Sequence, residues 1–472
     1  MTARLLELCG YTPAEIDAAL PDVNKVFDRL GLTQADVLRA QERIKRYYQP
    51  ELEGMRKVMG VYMRELVDLV LARERGKKKI IYASIPTGCA GIISAASFSS
   101  PEVHAVFPDV LVDYVLGGFF NKLDPILEAA EKSFMRPGVA HCALIKLRLG
   151  LMMKGQIPKG DLLISMGNIC DEVCKSDELI SEYFDIPVHY INLTQDWSGP
   201  EDSERERQFF AREIARCAER VGEVVGFEIS KDMATSTRHL KKTISSVVEK
   251  INRLILESDP MPIKAAAIDL VRFMKSMPFA RSNLDAATDA VEILLVELQR
   301  KVAQGEGVVP KGAPRVLLGL VSPIPDPSLA DLAEELGIAL LITETQIYVP
   351  DGDLMPNMDE VADKDPWEKY ANSLTARCLT SGPNRRVRAV AGACKKLNLD
   401  GVLWFYHYAC RTLATDALMV KHFVEQETGL PVLVLEGDVY DPRYYTSGQL
   451  RTRVEAFAEM LKAGQVARAT AG

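Results

Sequence analysis

The chain has 472 residues, 47% hydrophobic and 26% charged, the balance of an ordinary globular protein with room for two or three domains and a large core. Its net charge is −8 and no basic stripe appears, which argues against nucleic acid as a partner. No apolar run reaches the roughly 18 residues of a membrane span, and the first residues lack the charged-then-apolar layout of a secretory leader, so a cytoplasmic protein without membrane contact is expected.

Residues 1–76 read as helical. Thr12-Pro13-Ala14-Glu15 and Thr33-Gln34-Ala35-Asp36 each place Thr as N-cap and an acid three positions on. A long amphipathic stretch follows, interrupted at Pro50. Lys77-Lys78-Lys79 leads into the first strand, Ile80-Ile81-Tyr82-Ala83, which ends at Ser84-Ile85-Pro86-Thr87-Gly88-Cys89 before a small-residue helix. Residues 101–160 carry two strand-like runs and a helix. Arg136-Pro137-Gly138 is a turn, Cys142 follows it at the start of ALIKLRLGLMMKG, and Gly155 closes that helix.

Residues 160–193 read as strand, cysteine, helix, strand. Leu162-Leu163-Ile164 runs into Ser165-Met166-Gly167-Asn168, Cys170 stands at the exit, and Ile186-Pro187-Val188 opens the next strand, the unit ending near Asp196-Trp197. The unit recurs at residues 399–438, with Cys410 at the same point and Leu430-Pro431-Val432 opening the second strand. Between them, residues 201–305 show only apolar spacing of the i, i+3/i+4 kind. Gly305, Gly307, Pro310, Gly312 and Pro314 form a linker, and strands at about 316–321, 339–343, 401–406 and 431–435 alternate with helices.

The expected fold is α/β: two doubly wound, Rossmann- or flavodoxin-like parallel-sheet domains. The divisions are an N-terminal helical region (1–76), a first α/β domain (77–200), a helical segment (201–312) and a second α/β domain with a C-terminal helix (313–472). Such sheets bind ligands beyond the carboxyl ends of their strands. Cys89, Cys170 and Cys410 fall there, each ahead of a helix whose positive N-terminus favours the thiolate.

There is no P-loop, no convincing G-x-G-x-x-G, no HExxH and no paired C-x-x-C set. Nine cysteines without a leader make disulfides unexpected and give weight to metal or redox use. Cys9, Cys217 and Cys394, inside amphipathic helices, read as small buried hydrophobes. Cys142, Cys170 and Cys410, at turns or strand exits, are candidate ligands; Cys89, Cys174 and Cys378 stand between the two groups. Cys170 and Cys174 share one helix face.

Three stretches carry a resemblance: the Cys142 helix running into Cys170, LDGVLWFYHYACR around Cys410, and EGDVYDPRYYTSGQLRTRVEAFAEML at 436–461. Over about residues 80–465 the chain resembles the 2-hydroxyacyl-CoA dehydratase / benzoyl-CoA reductase family of iron–sulfur proteins. The last stretch is the most specific, with Asp441-Pro442-Arg443 and Arg451-Thr452-Arg453-Val454-Glu455-Ala456-Phe457. The resemblance implies a [4Fe–4S] cluster on Cys142, Cys170 and Cys410, with a homologous cluster-bearing subunit as partner. Three thiolates for four irons leave one iron open, as a catalytic centre needs. It further implies low-potential one-electron reduction of an acyl-CoA thioester, ending in 2-hydroxyacyl-CoA dehydration or aromatic ring reduction, with the electron supplied by a separate ATP-hydrolysing activator.

The chain departs from the family where an acidic Pro-Glu-Glu-like element is expected and Pro86-Thr87-Gly88-Cys89 stands. Six cysteines (Cys89, Cys142, Cys170, Cys174, Cys378, Cys410) leave open a double-cubane [8Fe–9S] centre in a homodimer that reduces small molecules. A cluster-free structural partner of a catalytic paralogue is the third reading. His407, Tyr408, Ser165 and Asn168 are either proton or hydrogen-bond donors near a cluster or satisfied loop residues. Arg411 serves cluster charge, CoA phosphate or a surface ion pair; Arg443, Arg451 and Arg453 brace the C-terminal helix; Met152, Met153 and Trp404 pack in the core. No acid or base residue is assigned.

Overall fold

The computed structural model describes residues 1–84, 89–136, 141–167, 170–192, 200–319, 326–349, 365–375, 377–438, 440–441, 443 and 447–471. Four helices come first: α1 (Thr2–Leu8), α2 (Pro13–Leu30), α3 (Gln34–Tyr47) and α4 (Glu53–Val70). Both anticipated capping boxes form. Thr12 accepts from the Glu15 amide while Glu15 accepts from the Thr12 amide, and Thr33 and Asp36 repeat the exchange. The break at Pro50 separates α3 from α4.

The first half then runs β1 (Lys79–Ala83), α5 (Ala90–Ser99), β2 (Val103–Val106), α6 (Pro108–Val112), α7 (Asp124–Ser133), α8 (Ala143–Met153), β3 (Leu162–Met166), α9 (Asp171–Phe184) and β4 (Val188–Ile191). A helical layer follows: α10 (Pro200–Val225), α11 (Lys231–Leu240), α12 (Lys242–Glu257), α13 (Ala265–Phe273) and α14 (Leu284–Gln304). The second half holds β5 (Arg315–Gly319), α15 (Ser328–Glu335), β6 (Ala339–Thr343), α16 (Pro366–Thr375), α17 (Pro383–Lys396), β7 (Gly401–Tyr406), α18 (Arg411–Thr428), β8 (Val432–Glu436) and α19 (Ser447–Ala471).

Each half forms a four-stranded parallel sheet, ordered β2-β1-β3-β4 in one and β6-β5-β7-β8 in the other. The two orders are the same, and both sheets are wholly parallel. The central strands are buried on both faces, as helices on either side require. The two-domain α/β architecture expected from the repeated unit is therefore the one observed.

One expectation fails. Residues 101–160 hold a single described strand, β2, rather than two. The apolar run after it continues from α6 into a π-helical turn, Asp113–Phe119, every residue of which is buried. A short apolar run has no periodicity to separate a buried strand from a buried helix. Here Pro108 at the first helical position favours the helix.

The helices before β1 and those between the halves pack as one layer. α4 lies so close to α14 that a Cβ on Gly54 would sit 2.5 Å from Leu294, and Tyr62 of α4 donates to the Leu270 carbonyl at 2.7 Å. No described helix is long and apolar enough to cross a membrane.

Candidate functional site

Four described helices begin with a cysteine as N-cap, α5 at Cys89, α8 at Cys142, α9 at Cys170 and α18 at Cys410, and the last three come together. Two of these follow from the repeated unit: Cys170 stands four residues after the end of β3 at Met166, and Cys410 four after the end of β7 at Tyr406. At the N-cap each sulfur takes the place that an oxygen usually holds. None of the three forms a side-chain cap hydrogen bond, but the nearby amides of Leu144 at Cys142, of Glu172 and Val173 at Cys170, and of Thr412 and Leu413 at Cys410 favour the thiolate.

The three thiols share one neighbourhood. Cys142 feels the charge of both Cys170 and Cys410, and Cys170 that of Cys410. Each is partly exposed, and Cys142 and Cys410 pack against the edge of the core. Burial pushes the Cys170 thiol up to about 12, and raises Cys142 and Cys410 in the same direction. The strongest charges acting on Cys142 are anionic: Asp438 and the other two thiols. Arg386 is the cation that acts on Cys410. Alone, the set stays protonated; a bound cationic group would supply the charge that three thiolates need. Among the described residues no three His, Cys, Asp or Glu side chains form a group that could hold a single metal ion.

Asp438, just after β8, ties the two halves together here. Its Oδ2 accepts from the Ala143 amide, the first after Cys142, at 3.3 Å, and its Oδ1 accepts from the Tyr440 amide at 2.9 Å. His407 Nδ1 accepts from the Ala409 amide at 3.1 Å, which leaves the proton on Nε2, 3.3 Å from Asp438 Oδ2. Burial lowers His407 to about 4, so the ring is neutral, and raises Asp438 to about 7. His141 Nδ1 pairs with Glu172, bringing the starts of α8 and α9 together. Tyr440 is buried within the field of Asp113, Cys142 and Cys410. Asp113, in the π-helical turn, is fully buried with neither carboxyl oxygen hydrogen-bonded.

The remaining candidate cysteines are Cys89, Cys174 and Cys378. Cys89 caps α5, fully buried, and its thiol neighbour is Cys217 of α10. Cys174, one turn into α9, faces Ser165, and its sulfur lies 3.2 Å from where a Cβ on Gly167 would be. Cys378 is fully buried, 3.8 Å from Glu344 Oε1 and 3.7 Å from the Arg386 carbonyl. Cys217 and Cys394 are buried inside helices as expected, whereas Cys9 is buried at the C-cap of α1 rather than within the helix.

Arg443 bridges Asp441 at 2.6 Å and Glu131 of α7 at 2.8 Å, so it fastens the tail after β8 to the first half. Arg453 braces the C-terminal helix, donating to the Val434 carbonyl at 2.5 Å, and Arg451 lies 3.5 Å from Glu335 and from Glu455. Trp404 and Met152 are buried, and Met153 packs against the core. Pro86, Thr87, Gly88, Asn168, Asp196, Trp197 and the Arg411 side chain lie outside the described residues. Sequence reasoning passed over Asp438, Arg148 and Arg386. The one available signal was the placement of Lys146 and Arg148 within the otherwise apolar ALIKLRLGLMM.

The family model described as 2-hydroxyglutaryl-CoA dehydratase, D-component, matches residues 91–461. The lactoyl-CoA dehydratase subunit alpha of Anaerotignum propionicum is 23% identical over 66% of this chain and 71% of its own length. The putative dehydratase subunit YjiM of Escherichia coli (strain K12) is 26% identical, covering 72% and 84%. A benzoyl-CoA reductase subunit of Thauera aromatica is 21% identical, covering 68% and 76%.

Proposed function

The chain belongs to the 2-hydroxyglutaryl-CoA dehydratase D-component family, and we propose that it is an acyl-CoA dehydratase or reductase subunit carrying a [4Fe–4S] cluster on Cys142, Cys170 and Cys410. The observation that carries this reading is the meeting of three thiols at helix N-caps from both halves. The donor set fits the group. Three partly exposed sulfurs, each with backbone amides aimed at it, suit a multi-iron cluster with one open iron. When bound, the cluster supplies one low-potential electron to the thioester.

The chain's own residues position the thiols. The helix N-termini of α8, α9 and α18 direct amides at the thiolates. Asp438 fixes the Cys142 turn against the second half through the Ala143 amide, and neutral His407 holds Asp438 in place. Tyr440 is buried beside Asp113, Cys142 and Cys410. The electron donor is a separate ATP-hydrolysing activator, the second subunit is a homologous chain, and the substrate is an acyl-CoA.

Anaerobic purification with iron and sulfide analysis tests this. About four irons per chain are expected, with the cluster spectrum abolished in Cys410→Ser. An intact spectrum in that variant would falsify the ligand assignment. About eight irons would favour the double-cubane centre, and none the cluster-free structural subunit.

A further inference from the structure

The two halves share more than strand order: each holds a buried arginine between two acids on corresponding elements. In the first half Arg148 of α8, 1% exposed, pairs with Asp177 of α9. It also lies 3.7 Å from Asp109, at the start of α6 after β2, and 3.3 Å from Ser84 Oγ, at the exit of β1. Ser84 in turn donates to Asp177 at 2.5 Å. In the second half Arg386 of α17, 0% exposed, forks onto Glu344, the residue after β6, with one arm at 2.7 Å. Its third nitrogen reaches Asp416 of α18 at 3.1 Å and the Thr412 carbonyl.

The placements correspond element by element. The arginine stands on the helix before the third strand of its sheet; one acid follows the second strand; the other acid stands on the helix after the third strand. That last helix is in each case the one that opens with a candidate ligand: Cys170 for α9 and Cys410 for α18. Asp177 is seven residues after Cys170, and Asp416 six after Cys410. In α18 the link is closer still, because Arg386 holds the carbonyl of Thr412, two residues after Cys410, whose amide favours the Cys410 thiolate.

Buried ion pairs are a poor device for stability, since apolar packing of the same volume does as well or better. What a planar guanidinium held by groups on several elements adds is fixed geometry. Two clamps on corresponding elements, built with different acids, therefore point past core packing. We propose that Arg148 and Arg386 are matched positioning residues that lock the Cys170 and Cys410 helices to their sheets and thereby set the spacing of the two thiols. The proposal rests on the reading of these thiols as cluster ligands.

The test uses the full chain, prepared anaerobically, with Arg148→Lys and Arg386→Lys, which keep the charge and lose the planar, several-donor head. Hydrogen exchange by mass spectrometry on the iron-free protein is the first measurement. Arg386→Lys is expected to speed exchange about tenfold or more over residues 411–416 and leave residues 171–177 as in wild type; Arg148→Lys does the reverse. With iron loaded, transfer of iron to a chelator is expected to quicken about 10–100-fold in both, and the electron paramagnetic signature of the reduced cluster changes at equal iron load. Asp177→Asn and Asp416→Asn, milder changes to the same clamps, give the same sidedness if the lysine variants do not fold. Exchange that rises equally over both helices, or a cluster held and shaped as in wild type, overturns the proposal. A wild-type chain that takes up no iron sinks the cluster reading instead, and the sidedness of exchange then judges the clamps alone.

Discussion

Asp438 joins the start of α8 to the strand end after β8 through one carboxylate. Its Oδ2 takes the Ala143 amide and faces His407 Nε2, each at 3.3 Å. Asp438→Ala removes the partner of an amide adjacent to Cys142 and leaves a buried histidine without its acceptor. Supporting residues of this kind typically cost about 10–100-fold in metal affinity when lost. The variant is expected to fold and to surrender iron to a chelator by about that factor, measured by competition; wild-type retention would remove Asp438 from the support of the site. Cys142, Cys170 and Cys410 were legible because their distance from strand ends and turns is written in the hydrophobic pattern. Asp438, Arg148 and Arg386 were not. An acid after a strand resembles any loop acid, and an arginine in ALIKLRLGLMM resembles a polar face until the helix proves buried all round.

Gly319 and Trp404 show how one element constrains another. Gly319 ends β5, and a Cβ there would lie 2.1 Å from the Trp404 indole on β7. The ring has nowhere to retreat. It is fully buried, its Nε1 donates to the Leu413 carbonyl at 3.2 Å, and the Arg386 guanidinium lies over it at 5.2 Å. Gly319→Ala is therefore expected to cost about 1–3 kcal/mol by overpacking, seen as an earlier denaturant midpoint at unchanged slope. No loss of stability would mean that the indole relaxes away from Arg386. Local rules read the elements well where they are local. The two capping boxes and the Pro50 break were visible because each is settled within a few residues. The π-helical turn at Asp113–Phe119 was not, since its burial comes from distant helices and not from its own periodicity; Arg43 of α3, for instance, donates to the Gly118 carbonyl at 2.9 Å.

At the scale of the whole chain, the repeat of strand, cysteine, helix and strand announced two like halves, and both sheets have the same order. The contact of α4 with α14 was beyond it, because a local pattern holds no information on which of two distant amphipathic helices will meet. That layer and a few polar ties hold the halves in register: Asp438 with Ala143, and Arg443 with Glu131 at 2.8 Å. A cluster bound by Cys142 and Cys170 on one side and Cys410 on the other adds a further tie. It binds only when both halves are folded and apposed, so it stabilises the assembled state by RT ln(1 + [L]/Kd), about 4 kcal/mol at a thousandfold excess over Kd. The iron-loaded chain is thus expected to melt well above the iron-free chain. Cys410→Ser should erase that increment, whereas Cys378→Ser, buried behind Arg386 and not one of the trio, should keep it. Comparing loaded with iron-free protein within each variant cancels any direct cost of the substitution. An increment that survives Cys410→Ser would place the bound group in the first half alone, and one lost in Cys378→Ser would extend it to Cys378.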